Sequence, residues 1–245
     1  MMSLNSPGLG GLVWNQFIYK LQAYSGIFLT MVIVQLFAFL FGNSGMMGMG
    51  SGNVSINIHF YSADTVFMLT MVWMFISSIL LTTRAYKEDD FVFVTSRLSS
   101  NLSNILFLVA ASLIGAVTVL LSGFLVRTVT YLFSSENFVS AGMPAGAGEL
   151  FSGMAAIFLY LLLFGGVGYL IGSIVQLHRG LIVVVPVVLV GGFIFGIDQE
   201  RFFEQIRLFF FAEHSFFPFL LKTLLTTGLL FLCSILISLR KEVRP

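Results

Sequence analysis

The sequence predicts an all-α integral membrane protein. It would have six transmembrane helices, an N-terminal amphipathic elbow helix, and an outer re-entrant helical hairpin between the last two spans. Three observations carry this prediction. Hydrophobic residues fill 58% of the 245 positions and charged residues only 9%, where a soluble domain carries roughly 25% charge. Mean hydropathy is +0.99. The apolar residues also gather into six continuous runs, and about 20 such residues in a helix cross about 30 Å of hydrocarbon. A membrane barrel would instead show alternating segments of about 10 residues.

The same composition excludes several function classes. So few charges cannot cover a water-facing surface, which removes a soluble enzyme and a disordered chain. Twelve Lys and Arg against 11 Asp and Glu leave a net charge of +1, too weak a field for nucleic acid. Cys233 is the one cysteine and lies in an apolar run, so no intrachain disulfide forms.

Residues 1–245 read as a single transmembrane domain. The first element is the elbow helix over 12–22. On a helical wheel Val13, Trp14, Phe17, Ile18 and Leu21 share one arc, while Asn15, Gln16, Tyr19 and Lys20 hold much of the other. A helix of this kind lies in the inner interface plane, with Trp14 at headgroup depth beside membrane lipid. It acts either as a passive anchor or as a lever to a cytosolic partner. The spans follow at 23–41, 65–83, 105–126, 151–177, 180–197 and 219–239. The first five hold no Asp, Glu, Lys or Arg, and the sixth holds only Lys222, one turn from its end.

With both termini cytoplasmic, the inner side receives Lys20, Arg84, Lys87, Arg97, Arg179, Arg240, Lys241 and Arg244. The outer side receives Arg127, Arg201, Arg207 and Lys222. That excess of inner cations sets the orientation. The first 19 residues carry no basic residue and no A-x-A site follows the apolar run, so the first span is expected in the mature chain. Gly168 and Gly172 in the fourth span make a G-x-x-x-G face for close helix approach, read first as packing within one subunit. Pro186, with Gly191 and Gly192, predicts a kink in the fifth.

No span places an ionisable residue at mid-depth, which disfavours an ion-coupled carrier. The four lysines follow Tyr19, Tyr86, Leu221 and Arg240, never the glycine of a phosphate-binding loop. Energy for any transport would therefore arrive from another polypeptide. His59, His178 and His214 fall at loops or span edges, away from any nucleophile, so no catalytic residue is assigned. Met46, Met47 and Met49 offer soft ligands to Cu(I), but the Gly/Ser/Met tract around them reads as a flexible connector. No metal ligand is assigned.

Two further segments are too polar to span. The inner loop 84–104 carries Glu88, Asp89 and Asp90 ahead of Phe91, Val94, Leu98 and Leu102 at helical spacing. It reads as a short helix under the membrane or as a solvated loop. The outer segment 198–218 repeats Phe202, Phe203, Ile206, Phe209 and Phe210 at i, i+3, i+4, i+7, broken by Glu200, Arg201, Glu204 and Arg207. It reads as a helix dipping into the outer leaflet, turning at Glu213–Ser215 and meeting Pro218 at the next span. Its phenylalanines either pack on the bundle or gate the exit of an apolar substrate.

These elements in this order resemble the transmembrane subunit of a type-2 ABC exporter. In that family an elbow helix precedes six spans, a coupling helix joins the second and third inside, and a re-entrant hairpin separates the last two outside. The local match is Glu88-Asp-Asp-Phe-Val-Phe-Val-Thr-Ser-Arg97, which is similar to the family's pattern of an acid, an apolar stretch, and a hydroxyl residue before Arg. A proline that commonly precedes that pair is replaced here by Val94-Thr95. The resemblance implies that Glu88, Asp89, Asp90, Phe91, Phe93 and Arg97 contact a cytosolic ABC ATPase subunit, beside elbow residues Trp14, Phe17 and Lys20. It implies substrate exit past Phe202, Phe203, Phe209 and Phe210, and a second permease subunit, identical or related. ATP and Mg would sit on the partner subunit, with no cofactor on this chain. The compact size looks like that of small permeases in the bacterial cytoplasmic membrane that export peptides. The competing reading is a non-transporting membrane scaffold or assembly subunit.

Overall fold

The computed structural model describes residues 8–42, 45–51, 54–60, 63–83, 86, 96–133, 146–176, 180, 181, 184, 187, 204–205, 208–210 and 215–239. Six long helices organise them: α1 (Leu9–Ala23), α2 (Ser25–Gly42), α3 (Asp64–Thr82), α4 (Arg97–Phe133), α5 (Ala147–Val175) and α6 (Phe216–Leu239). Helices α3, α4, α5 and α6 are each long and apolar enough to cross a membrane, and α1 with α2 passes the same test as a pair bent by 52°. This is the character of a multi-pass membrane protein. The fifth predicted span, 180–197, lies outside the described residues except at 180, 181, 184 and 187.

The bend between α1 and α2 has a local cause. The Tyr24 amide donates to the Lys20 carbonyl at 2.9 Å and closes α1, while its own carbonyl accepts from Ile27 and starts α2. The buried Tyr24 ring stands edge-on to Tyr86 at 4.7 Å and to Phe107 at 6.1 Å, and its hydroxyl donates to the Tyr86 carbonyl at 3.2 Å. Holding that ring fixes the angle at which the two helices meet.

Two expectations need correcting. The tract at 45–60, read as a flexible connector, pairs as an antiparallel hairpin of β1 (Gly45–Ser51) and β2 (Val54–Phe60), with Met46 opposite His59 and Ser51 opposite Val54. Alternating β-branched residues in Val54-Ser-Ile-Asn-Ile favour the extended chain, and glycines in the partner strand do not prevent it. The second correction concerns the inner loop, drawn to residue 104. Helix α4 begins at Arg97 and runs unbroken, so Leu98 and Leu102 belong to the long helix and not to a separate one beneath the membrane. Ser96 caps it, its hydroxyl accepting from the Ser99 amide at 3.2 Å. A serine there satisfies one of the unpaired first-turn N–H groups.

Helix α5 sits at the centre, with its most extensive contact to α3 and the next to α6. Glycine makes the α3 contact possible. A Cβ at Gly168 would meet the Ser78 hydroxyl and the Phe75 backbone carbonyl, and one at Gly172 would meet the Thr82 hydroxyl and Ile79 Cα. The G-x-x-x-G face is thus filled by α3 of the same chain. Around it, Met31, Trp73, Met74, Phe107, Leu108, Leu161 and Tyr169 form the core. The distribution of polarity is inverted relative to a water-soluble protein. Thr70, Ser78, Ser112, Thr223 and Ser234 are fully buried, whereas Leu29, Leu40, Phe41, Met68, Leu121 and Leu229 are exposed. Hydrocarbon accepts the leucines at no cost, and the hydroxyls turn inward to bond helix carbonyls or one another.

Candidate functional site

The bundle has two chemically distinct ends. Helix α1 presents Val13, Gln16 and Lys20 as its buried face, and its principal neighbour is α4. Lys20 is 1% exposed. Its ammonium donates to the Ser103 hydroxyl at 2.8 Å, to Asn104 Oδ1 at 2.5 Å and to the Ser100 carbonyl at 3.5 Å. An ammonium has three N–H donors and no acceptor, so the polar first turns of α4 are the complement it needs. Trp14 points the other way, 56% exposed, with its ring 5.4 Å from that of the half-buried Phe17.

This departs from the orientation expected of an interfacial helix, in which the polar arc faces water. Here Gln16 and Lys20 of the polar arc face protein together with Val13, while Asn15, Trp14 and Ile18 are exposed. The reason lies in α4: Ser99, Ser100, Asn101, Ser103 and Asn104 bring hydroxyls and amides into the bundle, and polar groups buried against apolar neighbours require partners.

From Lys20 the hydrogen bonds continue across the bundle. Asn104 Nδ2 donates to the Tyr169 hydroxyl at 3.3 Å, and that hydroxyl donates to Asn101 Oδ1 at 2.8 Å. One turn further along α5, Ser173 shares a 2.6 Å bond with Ser234 of α6, and both hydroxyls reach the Tyr169 carbonyl. Arg97, exposed at the start of α4, donates to the Ser238 carbonyl at 3.4 Å. A cation at the last turn of α6 also complements that helix's negative end. Thus α1, α4, α5 and α6 are joined at one end by a single polar belt.

At the other end the contacts are aromatic. Tyr160 of α5 stands between Phe67 at 6.0 Å and Phe219 at 5.0 Å, and its hydroxyl donates to the Phe210 carbonyl at 2.8 Å. Phe209 lies edge-on to Phe210 at 4.8 Å, and the Lys222 ammonium sits 4.8 Å above the Phe209 ring.

The structure therefore brings Lys20 and Arg97 to one end, and places Phe209 and Phe210 at the opposite one. Glu88, Asp89, Asp90, Phe91, Phe93, Phe202 and Phe203 lie outside the described residues. Sequence reasoning missed Asn101, Ser103, Asn104, Tyr169, Ser173 and Ser234. A signal existed in the i, i+3 spacing of Asn101 with Asn104 just ahead of an apolar run and in the i, i+4 spacing of Tyr169 with Ser173 inside one. The belt consists of an ammonium, amides and hydroxyls, which is hydrogen-bonding chemistry. Among the described residues no group of His, Cys, Asp or Glu is placed to hold a metal. No protein-family model matches the chain, and no curated protein or solved structure matches it.

Proposed function

We propose that the chain is the membrane-spanning permease subunit of an ATP-driven exporter of the type-2 ABC kind. In this reading it has six spans with both termini cytoplasmic in a bacterial cytoplasmic membrane. It pairs with a second permease subunit and carries an amphipathic substrate, a peptide or a lipid, outward. A separate cytosolic subunit binds and hydrolyses ATP. The observation that carries the reading is the bent α1–α2 pair, whose first helix is tied through Lys20 to the opening turns of α4. Those turns begin at Arg97, seven residues after Asp90 in the chain, so in this reading a push on Glu88–Asp90 is passed to α1, α5 and α6 through the belt. At the other end Phe209 and Phe210 supply an apolar lid over the exit, where a poorly specific aromatic contact suits an amphipathic cargo.

The test is purification from membranes together with the neighbouring gene products. An ATPase should co-purify, and a candidate amphipathic peptide should raise its rate of ATP hydrolysis. Arg97→Glu should abolish that stimulation while leaving membrane insertion intact, since removing one member of a desolvated charge contact costs about 2–5 kcal/mol. A chain that captures no ATPase is the scaffold instead. Orientation is tested separately with Asn15→Cys and Ser215→Cys in a Cys233→Ser background. An impermeant thiol reagent should reach Asn15→Cys from inside and Ser215→Cys from outside.

A further inference from the structure

Two buried polar groups at the Lys20 end are left unmatched by the packing. Gln16 is 0% exposed, one turn before Lys20 on the same face of α1, and neither atom of its amide head has a hydrogen-bond partner. Asn101 is buried on α4, and its Nδ2 has none either, although its Oδ1 accepts from Tyr169. Buried amides are nearly always bonded, and one left without a partner destabilises the state that contains it. Gln16 shares the buried face of α1 with Lys20, and Asn101 lies one turn before Asn104, which accepts from Lys20. Lys20, Ser100, Ser103 and Asn104, which fill that contact, are groups that water solvates as readily as protein does. The α3–α5 contact is different, being closed by glycine against the opposing helix with no room for water.

We propose that the α1–α4 contact is a hydratable seam that opens at the Lys20 end of the bundle, and that the structure holds it closed. Opening lets water meet Gln16 and Asn101, which offsets the hydrogen bonds Lys20 gives up. Its purpose rests on the permease reading. The seam is the entrance through which the polar head of an amphipathic substrate reaches Lys20 and the amides, while its apolar part stays in the bilayer beside Trp14 and Ile18.

The test uses the full chain in lipid nanodiscs and needs no ATPase. Ser103 and Ser112 are both fully buried on α4, but only Ser103 lies in the seam. Each is replaced by cysteine in a Cys233→Ser background and exposed to a charged methanethiosulfonate reagent. Local opening predicts that Ser103→Cys reacts at least about tenfold faster than Ser112→Cys, because sub-global openings expose one region without unfolding the rest. Adding Gln16→Leu removes the amide that has no partner at either atom and should slow Ser103→Cys at least about fivefold. Equal rates at the two positions mean that only global unfolding exposes Ser103, which overturns the seam. An unchanged Ser103→Cys rate in the Gln16→Leu background also overturns it, and if that background does not fold, the comparison of the two single cysteines still decides. If the seam opens but no ATPase co-purifies with the chain from membranes, the permease reading alone falls, and a silent Ser103→Cys in a substrate-stimulated complex would sink the seam alone.

Discussion

At the Lys20 end, an ammonium, amides and hydroxyls tie α1, α4, α5 and α6 through directional hydrogen bonds. At the Tyr160 end, rings of Phe67, Phe219, Phe209 and Phe210 meet with one side-chain hydrogen bond from Tyr160 among them. The difference teaches which end tolerates rearrangement. Aromatic contacts slide, losing little when a ring shifts by an ångström, whereas a buried ammonium loses most of its stabilisation when its acceptors part. On the proposed seam the polar end is all-or-none, either fully bonded or hydrated, while the aromatic end is compliant.

The largest effect should come from the frame between the two ends. Gly168→Ala places a methyl group against the Phe75 backbone carbonyl, which cannot rotate away. Overpacking of this kind costs about 3 kcal/mol, and more where backbone must move. Gly166→Ala meets Thr227 and Leu230 side chains at 3.4 and 3.5 Å, ordinary contact distances, so it should cost under about 1 kcal/mol. Thermal unfolding in nanodiscs measures both. Equal losses would mean that α5 does not approach α3 as closely as the glycines allow.

Next comes the polar end. Lys20→Met strands Asn104 Oδ1 and takes the ammonium from the Ser103 hydroxyl, which keeps its bond to the Ser100 carbonyl, with an expected loss of about 2–3 kcal/mol. Adding Asn104→Leu should recover part of it, because replacing both partners by apolar groups is gentler than removing one. If Lys20→Met is as stable as the wild type, the ammonium is not a member of the belt. The matched tyrosines then compare the ends directly. Tyr169→Phe removes the bridge between Asn101 and Asn104, for about 1–2 kcal/mol. Tyr160→Phe removes one interhelical bond at the aromatic end, and such bonds in membrane proteins average about 0.6 kcal/mol.

Much of this contrast was legible in the residues, and the illegible part has a physical reason. Run length and the near absence of charge are enough to define α3, α5 and α6, because hydrocarbon imposes one solution on an apolar run. The break at Tyr24 falls within two residues of the expected end of the elbow helix. The G-x-x-x-G pattern in α5 correctly marked a close intrachain contact. What pattern could not supply is direction. The wheel separates Lys20 and Gln16 from Trp14, but which arc faces protein depends on the Ser/Asn turns of α4, some 80 residues away in the chain. Those turns fall in the inner segment 84–104, which reads as a short helix under the membrane or a solvated loop because they precede the apolar run at Ile105. Ser and Asn are weak helix formers, but tertiary hydrogen bonds to Lys20 and Tyr169 hold them, and the Ser96 cap starts the helix eight residues before the apolar run does. The hairpin at 45–60 was hidden by its glycines, since strand pairing there is carried by backbone bonds rather than by side-chain composition.

The smallest predicted effect is the sharpest check on the aromatic end. Lys222 was expected to reach for the interface from the outer part of the last span, and its ammonium lies 4.8 Å above the Phe209 ring. Phe209 is 44% exposed, so the attraction is weak, about 0.5–1 kcal/mol at a site of this kind. Lys222→Met keeps the stem of the side chain and should lower stability by no more than that. Phe209→Leu should match it, and the double variant should equal either single change, since each removes the same contact. A double-mutant cycle in nanodiscs measures the coupling. If Lys222→Met instead destabilises as much as Lys20→Met does, the two lysines carry comparable loads. The contrast of an all-or-none polar end with a compliant aromatic end would then have to be abandoned.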